Sequence, residues 1–205
     1  MKKIAIYGAG GFGRETRLLI DQINLAKPKW KFIGYFDDNS KEEVLGGMEE
    51  LNSYKESLHV VVAIAEPEIR KTVVESIKNS NISFAILIHP SVVYDKNEVV
   101  IGEGSIVAAL SVFTTNITIG NHNIINLSST VGHDVYTADY CSLMPGVHIS
   151  GTVNLGKGVL VGSGAIVLQN LLIDAWSKVG AGAVVIENVN PNTTVVGIPA
   201  KPVIK

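Results

Sequence analysis

From Ile101 to Val185 every sixth residue is aliphatic or aromatic, with Thr137 as the one polar exception. The register runs through fifteen hexapeptides without an insertion. The next position is often glycine, as at Gly102, Gly120, Gly132, Gly156, Gly162 and Gly180. Four residues after each apolar position stands a mostly small or aliphatic residue, such as Ser105, Ser129, Cys141 or Ala165. A period of six fits neither the 3.6-residue repeat of an α-helix nor the two-residue repeat of a half-buried strand. It fits short strands joined by tight corners and stacked as a parallel β-helix. Three hexapeptides then form one triangular coil of eighteen residues, and fifteen form five coils, stacked at the strand spacing of ~4.8 Å. The aliphatic position fills the interior with the small one beside it. The remaining positions face outward or form corners.

The pattern before residue 89 is different. Lys3–Tyr7 is a short apolar strand running into Gly8-Ala9-Gly10-Gly11-Phe12-Gly13, a match to G-x-G-x-x-G. Arg14 to Asn24 is predicted helical, with Leu18, Leu19 and Ile23 on one face. Strands are predicted over Phe32–Phe36, which ends in Asp37-Asp38, over Val60–Ala65 and over Phe84–Ile88. Pro67 opens a second helix reaching about Lys78. The expected architecture is an α/β Rossmann-like half-domain over residues 1–88, then an all-β parallel β-helix over 89–205 with a C-terminal tail. Backbone N–H groups of the glycine loop and the helix N-terminus favour an anion such as a pyrophosphate. Asp37 or Asp38, at the end of the second strand, suits ribose hydroxyls. The half-domain is too short for a full dinucleotide fold, so a nucleoside diphosphate attached to another group fits better than NAD.

Composition narrows the class. Hydrophobic residues make up 46% and charged residues 18%, which excludes a disordered chain. Net charge is -2, from 17 basic and 19 acidic residues, so no nucleic-acid partner is expected. The single cysteine, Cys141, has no internal disulfide partner and fits a reducing compartment. No stretch approaches the ~20 apolar residues needed to cross a bilayer, and the glycine run interrupts the first apolar segment too early for a signal peptide. A cytoplasmic protein without a membrane partner is expected.

Candidate chemistry lies on the repeat. His133, in Gly132-His133-Asp134, occupies an outward position, and an imidazole can accept a proton near neutral pH. Asp134 could orient the ring, provided the corner turns, because adjacent residues on a strand point apart. One coil further on is Gly151, whose N–H could bond the oxygen of a thioester carbonyl as charge develops there. Asn126, expected to be outward and near His133, could orient the acceptor or the ring. Cys141 falls at the inward small position and reads as a hydrophobe, not a nucleophile. His122, His133 and His148 are separated by gaps of 11 and 15 and are expected to face outward at different corner positions, so no metal site is expected.

These residues together resemble a family. The features are Tyr7 to Gly13, Gly34-Tyr35-Phe36-Asp37-Asp38, Val62-Ala63-Ile64-Ala65 with Glu68-Ile69-Arg70-Lys71, Gly132-His133-Asp134, and Val196-Gly197-Ile198-Pro199-Ala200-Lys201. The whole chain resembles the bacterial sugar acetyltransferases that include sialic acid O-acetyltransferase and UDP-4-amino-sugar N-acetyltransferase. The resemblance implies a left-handed β-helix, against the general right-handed crossover preference, and a homotrimer with acetyl-CoA in the cleft between neighbouring helices. It also implies a UDP-linked amino sugar held by Gly10, Gly11, Phe12, Asp37, Asp38 and Ala65. His133 would be the base with Asp134 raising its basicity, and Ser142, Ser163, Ala181 and Lys201 would line the CoA site. Many relatives carry histidine in the glycine loop where this chain has Phe12. Direct N-acetylation of the nucleotide sugar is the leading expectation. O-acetylation of sialic acid or a polysaccharide is the nearest alternative, and a non-catalytic nucleotide-sugar sensor is the alternative from another class.

Overall fold

The computed structural model describes residues 1–39 and 43–203. Strand β1 (Lys2–Tyr7), helix α1 (Gly11–Ala26), strand β2 (Trp30–Phe36), helix α2 (Met48–Asn52), strand β3 (Leu58–Val62), helix α3 (Pro67–Ser76) and strand β4 (Ile82–Phe84) form the N-terminal part. Its sheet is wholly parallel, in the order β2-β1-β3-β4. Alternate residues of β1 serve two cores: Ile4 and Ile6 pack with Leu19 and Ile20 of α1, while Ala5 and Tyr7 pack with Leu51, Leu58 and Val74 on the other face.

The strand expected over Phe84–Ile88 divides. Ile82–Phe84 pairs with β3, and Leu87–Ile88 pairs in parallel with Ile106–Val107. Leu87 and Ile88 thus already belong to the first coil of the β-helix, so the handover comes before His89-Pro90.

The β-helix has three parallel faces. The first contains Ile106–Val107, Ile124–Ile125, Ser142–Leu143, Leu160–Val161 and Lys178–Val179; the second starts at Val112–Phe113 and the third at Val99–Ile101. Pairing steps by eighteen residues, as in Ile125↔Leu143 and Val131↔Ile149. The six-residue aliphatic column fills the interior, where Ile125, Val131, Leu143, Ile149 and Leu155 form one cluster. Thr137, the polar break in that column, is fully buried, and its Oγ1 accepts a hydrogen bond from Asn123 Nδ2 at 2.8 Å. Asn123 Nδ2 also donates to Ala138 O at 3.0 Å and Asn123 Oδ1 accepts from Cys141 N, so the buried amide is satisfied.

The corners share one conformation. From Gly104 to Gly182 every sixth residue has positive φ, whether glycine, Leu110, His122, Asp134, Tyr140 or Trp176. A left-handed residue costs a non-glycine side chain ~1–2 kcal/mol. The cost recurs at each such corner because the coil closes in no other way at this spacing.

The N-terminal part seats on the corner between the third and first faces. His122 lies there between Phe84, edge-on at 4.5 Å, and Tyr140, stacked at 5.3 Å. Lys178 Nζ meets Glu66 Oε1 at 2.7 Å across the same seam.

Candidate active site

The left-handed corner decides the geometry of Gly132-His133-Asp134. With φ of 60° at Asp134, the chain reverses and Asp134 Oδ2 comes within 2.7 Å of His133 Nδ1. Asp134 Oδ1 accepts from Asn116 Nδ2 at 2.6 Å, from the coil below. The Asn116 bond first, and the His133 bond second, hold the Asp134 carboxyl below the usual carboxylate range. An ionised carboxylate is acceptor only, so it assigns the ring proton to Nδ1 and leaves the Nε2 lone pair free. The His133 side chain is 62% exposed, so Nε2 is open to an incoming acceptor.

Gly151 lies directly against that nitrogen. A Cβ on Gly151 would sit 2.5 Å from both Nε2 and Cε1 of His133. Only glycine lets the ring rest across the next coil. Thr152 N donates to His133 O at 2.8 Å, which fixes the two coils in register at this corner. Among the described residues the Gly151 N–H has no hydrogen-bond acceptor, so it is free to donate to a ligand at this corner.

A second site lies in the N-terminal part. A cavity of 370 Å³ is lined by Gly8, Gly10, Gly11, Phe12, Asp37 and Asp38, with Ile64, Ile69 and Val73 on the opposite wall. Gly10 and Gly11 have open space where a Cβ would stand, while a Cβ on Gly13 would be 1.9 Å from Gly8 O. The first two leave room for a ligand; the third allows α1 to pack against β1. The aspartates are more occupied than expected. Asp37 accepts from Ala9 N and Asn39 N, both at 2.8 Å, and so shapes the loop. Asp38 accepts from Met48 N at 2.8 Å and from the Tyr7 hydroxyl. Burial, then the bond to Asp38, raises the Tyr7 phenol above its ordinary value and keeps it a donor. Ala65 does not line this cavity, and its carbonyl is bonded elsewhere.

Comparison with known proteins places the chain in a family. A family model described as the PglD N-terminal domain matches residues 3–77. GDP-perosamine N-acetyltransferase of Escherichia coli O157:H7 is 34% identical over 98% of this chain and 96% of its own length. The chain belongs to this family of acetyl-CoA-dependent sugar acetyltransferases. PerB from Caulobacter crescentus, solved with CoA and GDP-perosamine, superposes with a TM-score of 0.89 at 28% identity, covering 98% of this chain and 97% of that one. The acetyltransferase domain of PglB from Neisseria gonorrhoeae, solved with acetyl coenzyme A, gives 0.88 at 27%, covering 98% and 99%.

For a member of this family, the chain's three corners divide the predicted residues. His133, Asp134 and Gly151 lie between the second and third faces, whereas Asn126, Ser163 and Ala181 lie between the first and second. Asn126 is thus at a different corner from His133. It is buried rather than outward, its Oδ1 accepts from Leu127 N at 2.7 Å, and it lines a 140 Å³ apolar cavity with Phe12, Leu19 and His89. Phe12 borders both cavities. Ser163 and Ala181 are exposed. Lys201 is exposed and within 3.5 Å of Glu187, on the His133 corner. Ser142 departs from expectation: it is fully buried and its hydroxyl donates to Ala65 O at 2.6 Å, between the chain's own two parts. His122 is also buried, and burial pushes its imidazole down to about 4. Among the described residues no cluster of histidine, cysteine and acidic side chains could hold a metal, and no helix is long and apolar enough to cross a membrane. Cys141 is buried, and burial pushes its thiol up to about 12, away from nucleophilic use.

Sequence reasoning missed Asn116 and Arg70. The eighteen-residue step would have found Asn116, which lies one coil below Asp134. Arg70 stood within a family motif, but nothing in its helical spacing marks it as fully buried.

Proposed function

We propose that this protein transfers the acetyl group of acetyl-CoA directly to the amine of a nucleoside diphosphate-linked amino sugar. The observation that carries the reading is the His133–Asp134 pair set against the free N–H of Gly151. His133 takes the proton through Nε2 as the amine attacks the thioester carbon; the C–S bond then breaks, the acetyl group stays on the nitrogen, and His133 returns the proton to the departing CoA sulfur. Asp134 holds the ring by Nδ1 and offsets the charge it gains. The Gly151 N–H donates to the carbonyl oxygen as negative charge collects there. No acyl-enzyme forms, since the single cysteine, Cys141, is buried away from this corner.

The glycine loop takes the pyrophosphate against Gly10, Gly11 and the start of α1, with Asp37 and Asp38 on the ribose side and Phe12 facing the sugar. GDP is the proposed carrier in place of the UDP expected from sequence, on the strength of a whole-length relative that acts on GDP-perosamine. Ser163, Ala181 and Lys201 are proposed for the CoA cleft. Ser163 and Ala181 share no corner with His133, which supports a closed homotrimer in which the corner that carries them on one chain meets the His133 corner of the next. A cytoplasmic location suits these substrates and the buried, reduced Cys141.

Purified protein with acetyl-CoA and a panel of GDP-, UDP- and CMP-linked sugars tests the proposal by thiol release. Turnover with a GDP-linked amino sugar is expected. Turnover only with hydroxyl acceptors, or with no nucleotide-linked sugar, would sink it.

A further inference from the structure

Arg70 is fully buried, and among the described residues it has no carboxylate partner. Its guanidinium is satisfied by carbonyl oxygens from two directions. On one side Nη1 donates to Ile64 O at 2.6 Å and Ala65 O at 3.0 Å. On the other, Nε donates to His122 O at 2.8 Å, and Nη2 to Tyr140 O at 2.7 Å, Cys141 O at 3.1 Å and Ser142 Oγ at 2.9 Å. Ser142 Oγ closes the ring by donating to Ala65 O.

The two sets of carbonyls belong to the two halves of the reaction. Ile64 lies in the connection between β3 and α3 and forms part of the wall of the nucleotide cavity, and Ile69 and Val73, on the same helix α3 as Arg70, also line it. His122 and Tyr140 are the same corner position on successive coils, eighteen residues apart, and His133 lies on the single turn of chain that joins them. A planar fork with five N–H donors suits this bridge, and a lysine ammonium with three donors around a point charge cannot span it. Burying a charge this way is costly unless every donor is used, and here every nitrogen of the guanidinium is bonded. Burial lowers the guanidinium to about 10, so it stays charged at neutral pH.

We propose that Arg70 is a positioning residue for the acceptor: it fixes the wall of the nucleotide cavity to the coil that carries His133. The inference rests on the function proposed above. Arg70 touches no substrate. It acts by holding the Ile64–Ala65 connection in its binding shape before the nucleotide arrives, which removes an ordering cost from binding.

The test compares wild type, Arg70→Lys and Ser142→Ala by GDP calorimetry and by steady-state kinetics with the best nucleotide sugar. For Arg70→Lys, GDP affinity is expected to fall about tenfold and the acceptor KM to rise in parallel, while the KM for acetyl-CoA stays within about twofold. Ser142→Ala keeps the guanidinium and loses one link. It is expected to fold and to show a smaller loss in the same direction, also sparing acetyl-CoA, and it carries the test if the lysine variant does not fold. A purely structural Arg70 would lower the melting temperature of the folded variants and leave the GDP affinity unchanged. That result, or a change in the acetyl-CoA KM matching the acceptor's, overturns the inference alone. Wild type that binds neither GDP nor UDP overturns the proposed function, and this inference with it.

Discussion

Replacing Gly151 by alanine separates catalysis from stability. The new Cβ would stand 2.5 Å from Nε2 and Cε1 of His133. Carbon contacts are comfortable from about 3.5 Å, so the ring must retreat by about 1 Å. It can do so cheaply, because the His133 side chain is 62% exposed and lies at the end of a flexible bond. The movement strains or breaks the 2.7 Å bond to Asp134 and carries Nε2 away from its place against Gly151. A displacement of that size costs roughly 100-fold in rate, or about 2.7 kcal/mol of transition-state stabilisation. Gly151 is not in the left-handed region, so alanine strains no backbone and should change stability by no more than about 1 kcal/mol, in the favourable direction. The assay is kcat by thiol release alongside thermal melting. A variant with kcat within about twofold of wild type would refute the placement of His133 as the base over this glycine. A variant that melts far below wild type would refute the geometric account of the clash.

Three further outcomes are expected. His133→Ala should lower kcat by roughly 10²–10⁴-fold and leave the melting temperature and CoA affinity unchanged, because the exposed ring supports no core; near-normal turnover would end the general-base mechanism. His122 is held neutral by burial, with its imidazole depressed to about 4. The unfolded chain therefore binds the extra proton first, and stability should be full above about pH 6.5 and fall as pH drops toward 4, by about 3 kcal/mol. His122→Phe, stacked between Phe84 and Tyr140 and free of the unpaired buried Nδ1, should flatten that slope in denaturant titrations at pH 5 and 7.5; an unchanged slope places the acid sensitivity elsewhere. Phe12→His adds a polar group where Phe12 borders both the nucleotide cavity and the apolar cavity, and should shift the acceptor KM by about threefold or more without changing the acetyl-CoA KM; equal acceptor constants would remove Phe12 from the sugar site.

Much of the architecture follows from spacing alone. A six-residue aliphatic register has one economical solution, a coil with that residue inside, and the step of eighteen then places Gly151 above His133 and Asn116 below Asp134 without coordinates. The glycine loop is equally legible from its G-x-G-x-x-G spacing between strand and helix, and the structure adds that Gly13 is demanded by its contact with Gly8 O, whereas Gly10 and Gly11 border open space. Other features depend on where the chain folds back on itself. Neighbours on an extended strand diverge, so the Asp134–His133 bond awaited the left-handed corner, a conformation adopted by residues as unlike as Leu110, Asp134 and Trp176 and so without a residue signature. The repeat predicts Asn126 and His122 outward because it treats all three faces alike, and the family resemblance puts Ser142 in the CoA cleft. The docked N-terminal part breaks that equivalence, covering one corner and burying Ser142 and His122 there. Arg70 shows the same limit: apart from Ser142 Oγ its partners are main-chain carbonyls, up to 71 residues away, and a carbonyl, present on every residue, leaves no trace in a sequence. Only the tertiary structure decided which of them converge on one guanidinium.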